Sequence, residues 1–217
     1  RTIQNEIQEN LKEIYGEKIV LLGSGRTDSG VHAIKQIANF HVKKNLINLI
    51  ALKNKLNQKL SSDIRIKKCL EVSDNFHSQH NCKKKTYLYK IKMVEPCNVF
   101  EKNYMYYIKN RLELNKIKEF SKVFIGNHNF IFFCKTGYSG DDTKRVIYSF
   151  KIIKKRNILE IKITGNGFLR GMVRLIIGAL INFEKDKITK KDIINAVNAK
   201  KALKINLSVP ACGLYLY

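Results

Sequence analysis

Proline is nearly missing from this chain, with two in 217 residues. No Pro-rich or Gly/Ser-rich stretch interrupts the sequence either, so nothing marks a flexible linker between domains. No apolar run approaches the roughly 20 residues that a bilayer-spanning helix needs, and no segment reads as a secretory signal. The five cysteines (Cys69, Cys82, Cys97, Cys134 and Cys212) are odd in number, scattered and without a Cys-x-x-Cys pair. That spacing argues against a disulfide framework and for reduced thiols in the cytoplasm. His77, His80 and Cys82 lie close together, but no second ligand pair at finger-like spacing accompanies them. Loop or core roles are therefore expected there, and no metal.

Acidic residues are also scarce. There are 18 Asp and Glu against 41 Lys and Arg, a net charge of +23. A field of that sign attracts polyanions, nucleic acid above all. The competing reading is compositional: in a chain so rich in Lys, Ile and Asn, the lysines serve only as a solvated coat. Binding to a membrane surface would call for a basic amphipathic helix, whereas the bases here spread over predicted strands and loops as well.

Periodicity gives a mixture of helices and strands. Residues 2–15 read as a helix with Ile3, Ile7, Leu11 and Ile14 on one face, Thr2 as cap and Gly16 as stop. Short strands are expected at 19–22 and 36–42, and a second helix at 46–60. Residues 63–72 alternate strictly, with Ile64, Ile66, Leu70 and Val72 on one side, and predict a half-buried strand. The same alternation recurs over 83–94. A helix follows at 113–125, then strands at 144–153 and 158–164. An apolar helix is expected at 169–183, a helix opened by the capping-box pattern Thr189-x-x-Asp192, and a final strand at 213–217. No steady parallel-crossover rhythm appears. The class is α+β, with helices on one sheet face and the other face open to a partner.

The segment Gly25-Arg26-Thr27-Asp28-Ser29-Gly30-Val31-His32-Ala33 carries the most specific signal. Its glycines fit neither the dinucleotide fingerprint nor a phosphate-binding P-loop. Read as an ordinary turn, it would use Asp28 as a backbone cap and leave Arg26 to water. The string, however, resembles the active-site motif of the TruA family of tRNA pseudouridine synthases, departing only at Ser29, where the family often has Ala. Further elements resemble the family in the same order. These are Lys85-Thr86-Tyr87-Leu88-Tyr89; Gly126-x-His128-x-Phe130, with Asn129 in place of the family's Asp; and Thr143-x-Arg145. Gly165-Asn166-Gly167-Phe168-Leu169 followed by Met172-Val173-Arg174 and Gly178 comes next, and then Gly213-Leu214-Tyr215.

The resemblance implies a pseudouridine synthase fold. Two RRM-like halves, 1–80 and 81–217, would share a mixed, mainly antiparallel sheet and work as one catalytic unit, with helices on one face and the RNA cleft on the other. It implies isomerisation of uridine to pseudouridine at uridines 38 to 40 of the tRNA anticodon arm, by a homodimer, with no metal or cofactor. Such a reaction needs a carboxylate that stays ionised and can meet an electrophilic carbon. Asp28 matches that aspartate. Attack at C1′, attack at C6 and abstraction of a ribose proton all remain open to it. Arg174 matches its partner arginine; an opposite charge beside a carboxylate favours the ionised form. Arg26 and Arg145 match RNA-contacting positions, and Tyr87 the catalytic tyrosine that stacks on the base, with assistance to proton removal at C5 open to it. Phe168 and Met172 are expected in the pocket wall.

The family's first strand and its Gly-Trp-Gln loop would precede the helix that opens here, and this chain has no Trp. The expectation is therefore a trimmed chain lacking one strand. The rival function is a non-catalytic, basic RNA-binding protein with a decayed site. The presence of Asp28, Arg26, Tyr87 and Arg174 together argues against it. A glycosidase would want paired carboxylates, and the doublet Asp141-Asp142 sits in a different loop.

Overall fold

The structure is a computed structural model that describes residues 1–43, 47–93, 98–138, 140 and 142–217. Cys97, Asp141, the first residue of the helix expected at 46–60 and the last of the strand expected at 83–94 lie outside the described residues. In chain order the elements are α1 (Ile3–Tyr15), β1 (Leu22–Gly23), β2 (His32–Ala33), β3 (Ala38–Asn39), α2 (Leu49–Lys59), β4 (Lys85–Lys92), β5 (Tyr106–Tyr107) and α3 (Leu114–Ser121). They continue with β6 (Gly126–Asn129), β7 (Lys144–Lys155), β8 (Ile158–Gly165), α4 (Met172–Glu184), α5 (Lys190–Val197) and β9 (Leu214–Leu216). The class is α+β, as the periodicity predicts. Two compact units emerge: Arg1–Arg26 with Gln36–Cys82, and Thr27–Lys35 with Lys83–Tyr217. The Asp28 loop thus belongs to the second.

In the first unit, Thr2 caps α1 by accepting the Asn5 N–H, and Gly16 ends it with a left-handed φ of 70°. Leu11 of α1 packs with Ile19, Leu21, Leu52, Leu56, Leu60 and Ile64 in a small aliphatic core. The strand expected at 63–72 does not form. Only the start of its alternating face is buried; Leu70 and Val72 are exposed. Where a neighbouring strand would bind, the Asn57 amide takes both backbone groups of Ile66: Nδ2 donates to its carbonyl and Oδ1 accepts its N–H. Leu21 is held likewise, by Gln4 Nε2 on its carbonyl and Gln8 Oε1 on its N–H. Side-chain amides thus supply bonds that strand partners would otherwise make. The strands expected at 19–22 and 36–42 shrink to the two-residue antiparallel ladder of β1 and β3. His77 Nδ1 faces the N–H groups of Gln79 and His80, so this histidine closes a turn.

The second unit holds a seven-stranded sheet in the order β2-β9-β4-β8-β7-β6, with β5 alongside β4. β2 pairs parallel to β9 and β5 parallel to β4, while the remaining ladders are antiparallel. The first unit has its own short ladder of β1 and β3. On β4, Tyr87, Tyr89 and Ile91 point to one face, as do Leu159, Ile161 and Ile163 on β8. They share one core with Ile117 and Phe120 of α3, Met172, Val173, Ile176 and Leu180 of α4, and Ile193 of α5. The opposite face carries cations over aromatic rings: Lys90 over Tyr215 at 4.8 Å, and Lys162 over Tyr217 at 4.1 Å. α5 opens on the reciprocal Thr189–Asp192 capping box. α4 begins at Met172, three residues later than its apolar pattern suggests, because Gly171 stands before it in a left-handed conformation.

Candidate active site

The Asp28 loop is anchored immediately after its carboxylate. The Asp28 carbonyl accepts the Val31 N–H across a tight turn, and Gly30 takes the positive φ (78°) that such a turn demands. His32 and Ala33 then pair with Tyr215 and Leu216, and the Leu216 carbonyl accepts the Ile34 N–H. The His32 ring stacks between Tyr104 and Tyr215, with centroids 5.3 and 4.7 Å away. Four residues of rigid anchoring therefore fix where Asp28 stands.

Two guanidinium groups face that carboxylate. Arg174 Nη1 lies 3.5 Å from Oδ2, and Arg170 Nε lies 3.9 Å from Oδ1. The two arginines differ in mobility. The Arg174 side chain is only 13% exposed; its Nε donates to the Val209 carbonyl and its Nη2 to Ser208 Oγ. It is thus aimed before any substrate arrives. Arg170 is 52% exposed and, among the described residues, its side chain donates only through Nη1, to the Thr136 carbonyl. The Asp28 side chain is 32% exposed, open enough to meet a substrate.

Tyr87 comes to the same region from β4. Its ring meets Phe168 edge-on at 5.1 Å, and its hydroxyl makes no hydrogen bond among the described residues. Burial, with a smaller contribution from the Asp28 charge, pushes the phenol up to about 12. Tyr87 also belongs to the core shared with α3, α4 and α5.

The remaining expected residues lie as follows. Phe168 is half-buried beside Tyr87, and Met172 is fully buried in the core. Arg145 donates to the Tyr138 hydroxyl and to the Asp142 and Lys144 carbonyls. Arg26, in the first unit, is exposed and makes no ion pair among the described residues. Arg170 and Ser208 escape the sequence reading. Arg170 stands four places before Arg174, a spacing that gives a hint, whereas nothing local to Ser208 marks it.

Comparison with known proteins gives the class. Residues 1–81 and 120–217 match the family described as tRNA pseudouridine synthase, and the chain belongs to that family. It is 38% identical over 215 residues to tRNA pseudouridine synthase A 2 of Bacillus cereus, an alignment covering 99% of this chain and 87% of that protein. It is also 38% identical to tRNA pseudouridine synthase A 2 of Clostridium tetani, with 100% and 87% covered. To tRNA pseudouridine synthase A of Brachyspira hyodysenteriae it is 37% identical, with 99% and 87% covered.

Proposed function

We propose that this chain isomerises uridine to pseudouridine in the anticodon arm of tRNA, at uridines 38 to 40, with Asp28 as the catalytic carboxylate. The observation that carries the reading is the carboxylate itself: partly exposed, rigidly anchored and faced by a pre-oriented Arg174 with Tyr87 at hand. In the reaction the C1′–N1 bond of uridine breaks and a C1′–C5 bond forms, while C5 loses a proton and N1 gains one. Atoms and electrons balance without any redox partner. Arg174 steadies the carboxylate charge between attack and release, and Tyr87 presents a ring and a neutral hydroxyl to the base. Lifting the uridine from its stack costs a few kcal/mol, least where pairing is already weak, as beside a loop. Arg26 and Arg145 serve as RNA contacts, with Phe168 and Met172 shaping the pocket. The enzyme works in the cytoplasm as a homodimer of RRM-like halves, a reading that rests on the family resemblance.

The test is tritium release from C5-labelled uridine in tRNA. Wild type should release it and Asp28→Asn should not, while tRNA affinity stays nearly unchanged because many cations do the binding. A modest residual rate in Asp28→Asn would remove the carboxylate from the chemistry. Binding by wild type without any release would favour the decayed RNA-binding protein.

A further inference from the structure

Arg170, which faces Asp28, and Lys135, whose backbone is hydrogen-bonded to that of Arg170, have no task in that reading. Arg170 reaches the carboxylate only at 3.9 Å, too far for a hydrogen bond, and it keeps donors turned to solvent. Lys135 lies beside it: the Lys135 N–H donates to the Arg170 carbonyl at 2.9 Å, and its ammonium has no ion-pair or hydrogen-bond partner among the described residues.

Both side chains rest over glycines that leave room for them. A Cβ on Gly137, where φ is 79°, would come within 2.5 Å of Arg170 Nη1. A Cβ on Gly171, where φ is 71°, would stand 2.7 Å from Lys135 Cγ and 2.8 Å from Cδ. Two long basic chains thus lie across bare backbone, Arg170 over Gly137 and Lys135 over Gly171. An RNA substrate has to bring its own negative charge next to a carboxylate, and that repulsion must be offset. Arg174 is committed to Asp28, Ser208 and Val209. Arg170 is held more loosely, by the Thr136 carbonyl and the long approach to Asp28, and the Lys135 ammonium has no ion-pair or hydrogen-bond partner among the described residues. A guanidinium with donors to spare and an ammonium from the neighbouring, hydrogen-bonded segment suit a phosphodiester.

We propose that Arg170 and Lys135 form a phosphate-binding pair that takes the phosphodiester flanking the target uridine. The inference rests on the reading of RNA as the substrate. The pair holds the backbone while the uridine turns toward Asp28, and it keeps the phosphate from facing the carboxylate.

The test uses an anticodon stem-loop RNA in which each of the two phosphates flanking the target is replaced in turn by an uncharged methylphosphonate. Equilibrium binding is measured with wild type and with the double variant Arg170→Gln, Lys135→Gln. Replacement of one of the two phosphates should weaken wild-type binding roughly tenfold, the scale of losing a charge-assisted hydrogen-bonded contact. The double variant should bind the unmodified RNA about as weakly, and the same replacement should cost it nothing more. Arg170→Lys, which keeps the charge, should retain part of the affinity. If the methylphosphonate weakens the double variant as much as wild type, or weakens wild type at neither position, the phosphate pair is overturned. Tritium release by wild type from the unmodified RNA is scored separately. Coupled binding without release sinks the isomerase reading and keeps the pair; release with uncoupled binding does the reverse.

Discussion

Asp28 and Tyr87, the pair assigned to the substrate in the proposed reaction, stand in opposite electrostatic conditions. Asp28 is open to solvent and faced by two cations, whereas Tyr87 is buried and has its phenol raised to about 12. At neutral pH only about one Tyr87 in 10⁵ would be ionised. In the proposed reaction it would meet the uracil as a ring and a neutral hydroxyl. The same shift has a cost at alkaline pH. Tyr215 is likewise raised to about 12 by burial, and Tyr89 is raised further still by burial. An unfolded tyrosine titrates near 10, so above that pH the unfolded chain gives up protons that the fold retains. The stability these neutral phenols contribute is complete below pH 10 and declines as pH rises from about 10 toward 12. Melting temperature should therefore fall across that window, and Tyr87→Phe should fall less steeply than wild type. Parallel curves would mean that Tyr87 is more hydrated than its surroundings imply.

At the scale of elements, α4 and the segment before β9 form the support for Arg174. Gly178 sits one turn after Arg174, and a Cβ there would run into the carbonyl of Leu207. The next two residues, Ser208 and Val209, supply the acceptors that aim the Arg174 guanidinium. Gly178→Ala must therefore push the 207–209 segment away. It should lower stability by about 1–3 kcal/mol, as overpacking does. It should also reduce kcat for tritium release more than it raises KM for tRNA, because it disturbs Arg174 and leaves the surface cations in place. A stable Gly178→Ala protein with normal kcat would show that Arg174 needs no such support. This support also marks the limit of what the sequence discloses. Asp28, Arg174 and Tyr87 are legible because they sit in specific strings, and α1, α3 and α5 are legible from caps and apolar spacing. Ser208 is invisible, since its importance comes from a contact 34 residues away in the chain. The strand expected at 63–72 misleads for a related reason. Alternation reports which side chains could be buried, but a strand also needs a neighbour, and here the Asn57 amide occupies that place. Gly171 delays α4 because an apolar pattern records burial and says nothing of backbone hand.

For the whole molecule the dominant quantity is charge. A net charge of +23 on 217 residues is compatible with two accounts, a nucleic-acid-binding surface or a solvated lysine coat. The first unit contributes exposed cations such as Arg26, and the second presents Lys90 and Lys162 over tyrosine rings and Arg170 near the carboxylate. These accounts separate in salt. Each phosphate neutralised on binding releases condensed counterions, so log affinity falls with log salt by roughly 0.7 per contact on single strands and 0.9 on duplex. A tRNA held by about six such contacts would show a slope near −4 to −5. We expect a slope of that order for wild type. Asp28→Asn should share it, because that carboxylate performs chemistry and does not bind phosphate. Loss of Arg170 should make the slope shallower by roughly one contact. A flat response in titrations of tRNA against potassium chloride would assign the lysines to the solvated coat, and recognition would then have to come from shape and stacking alone.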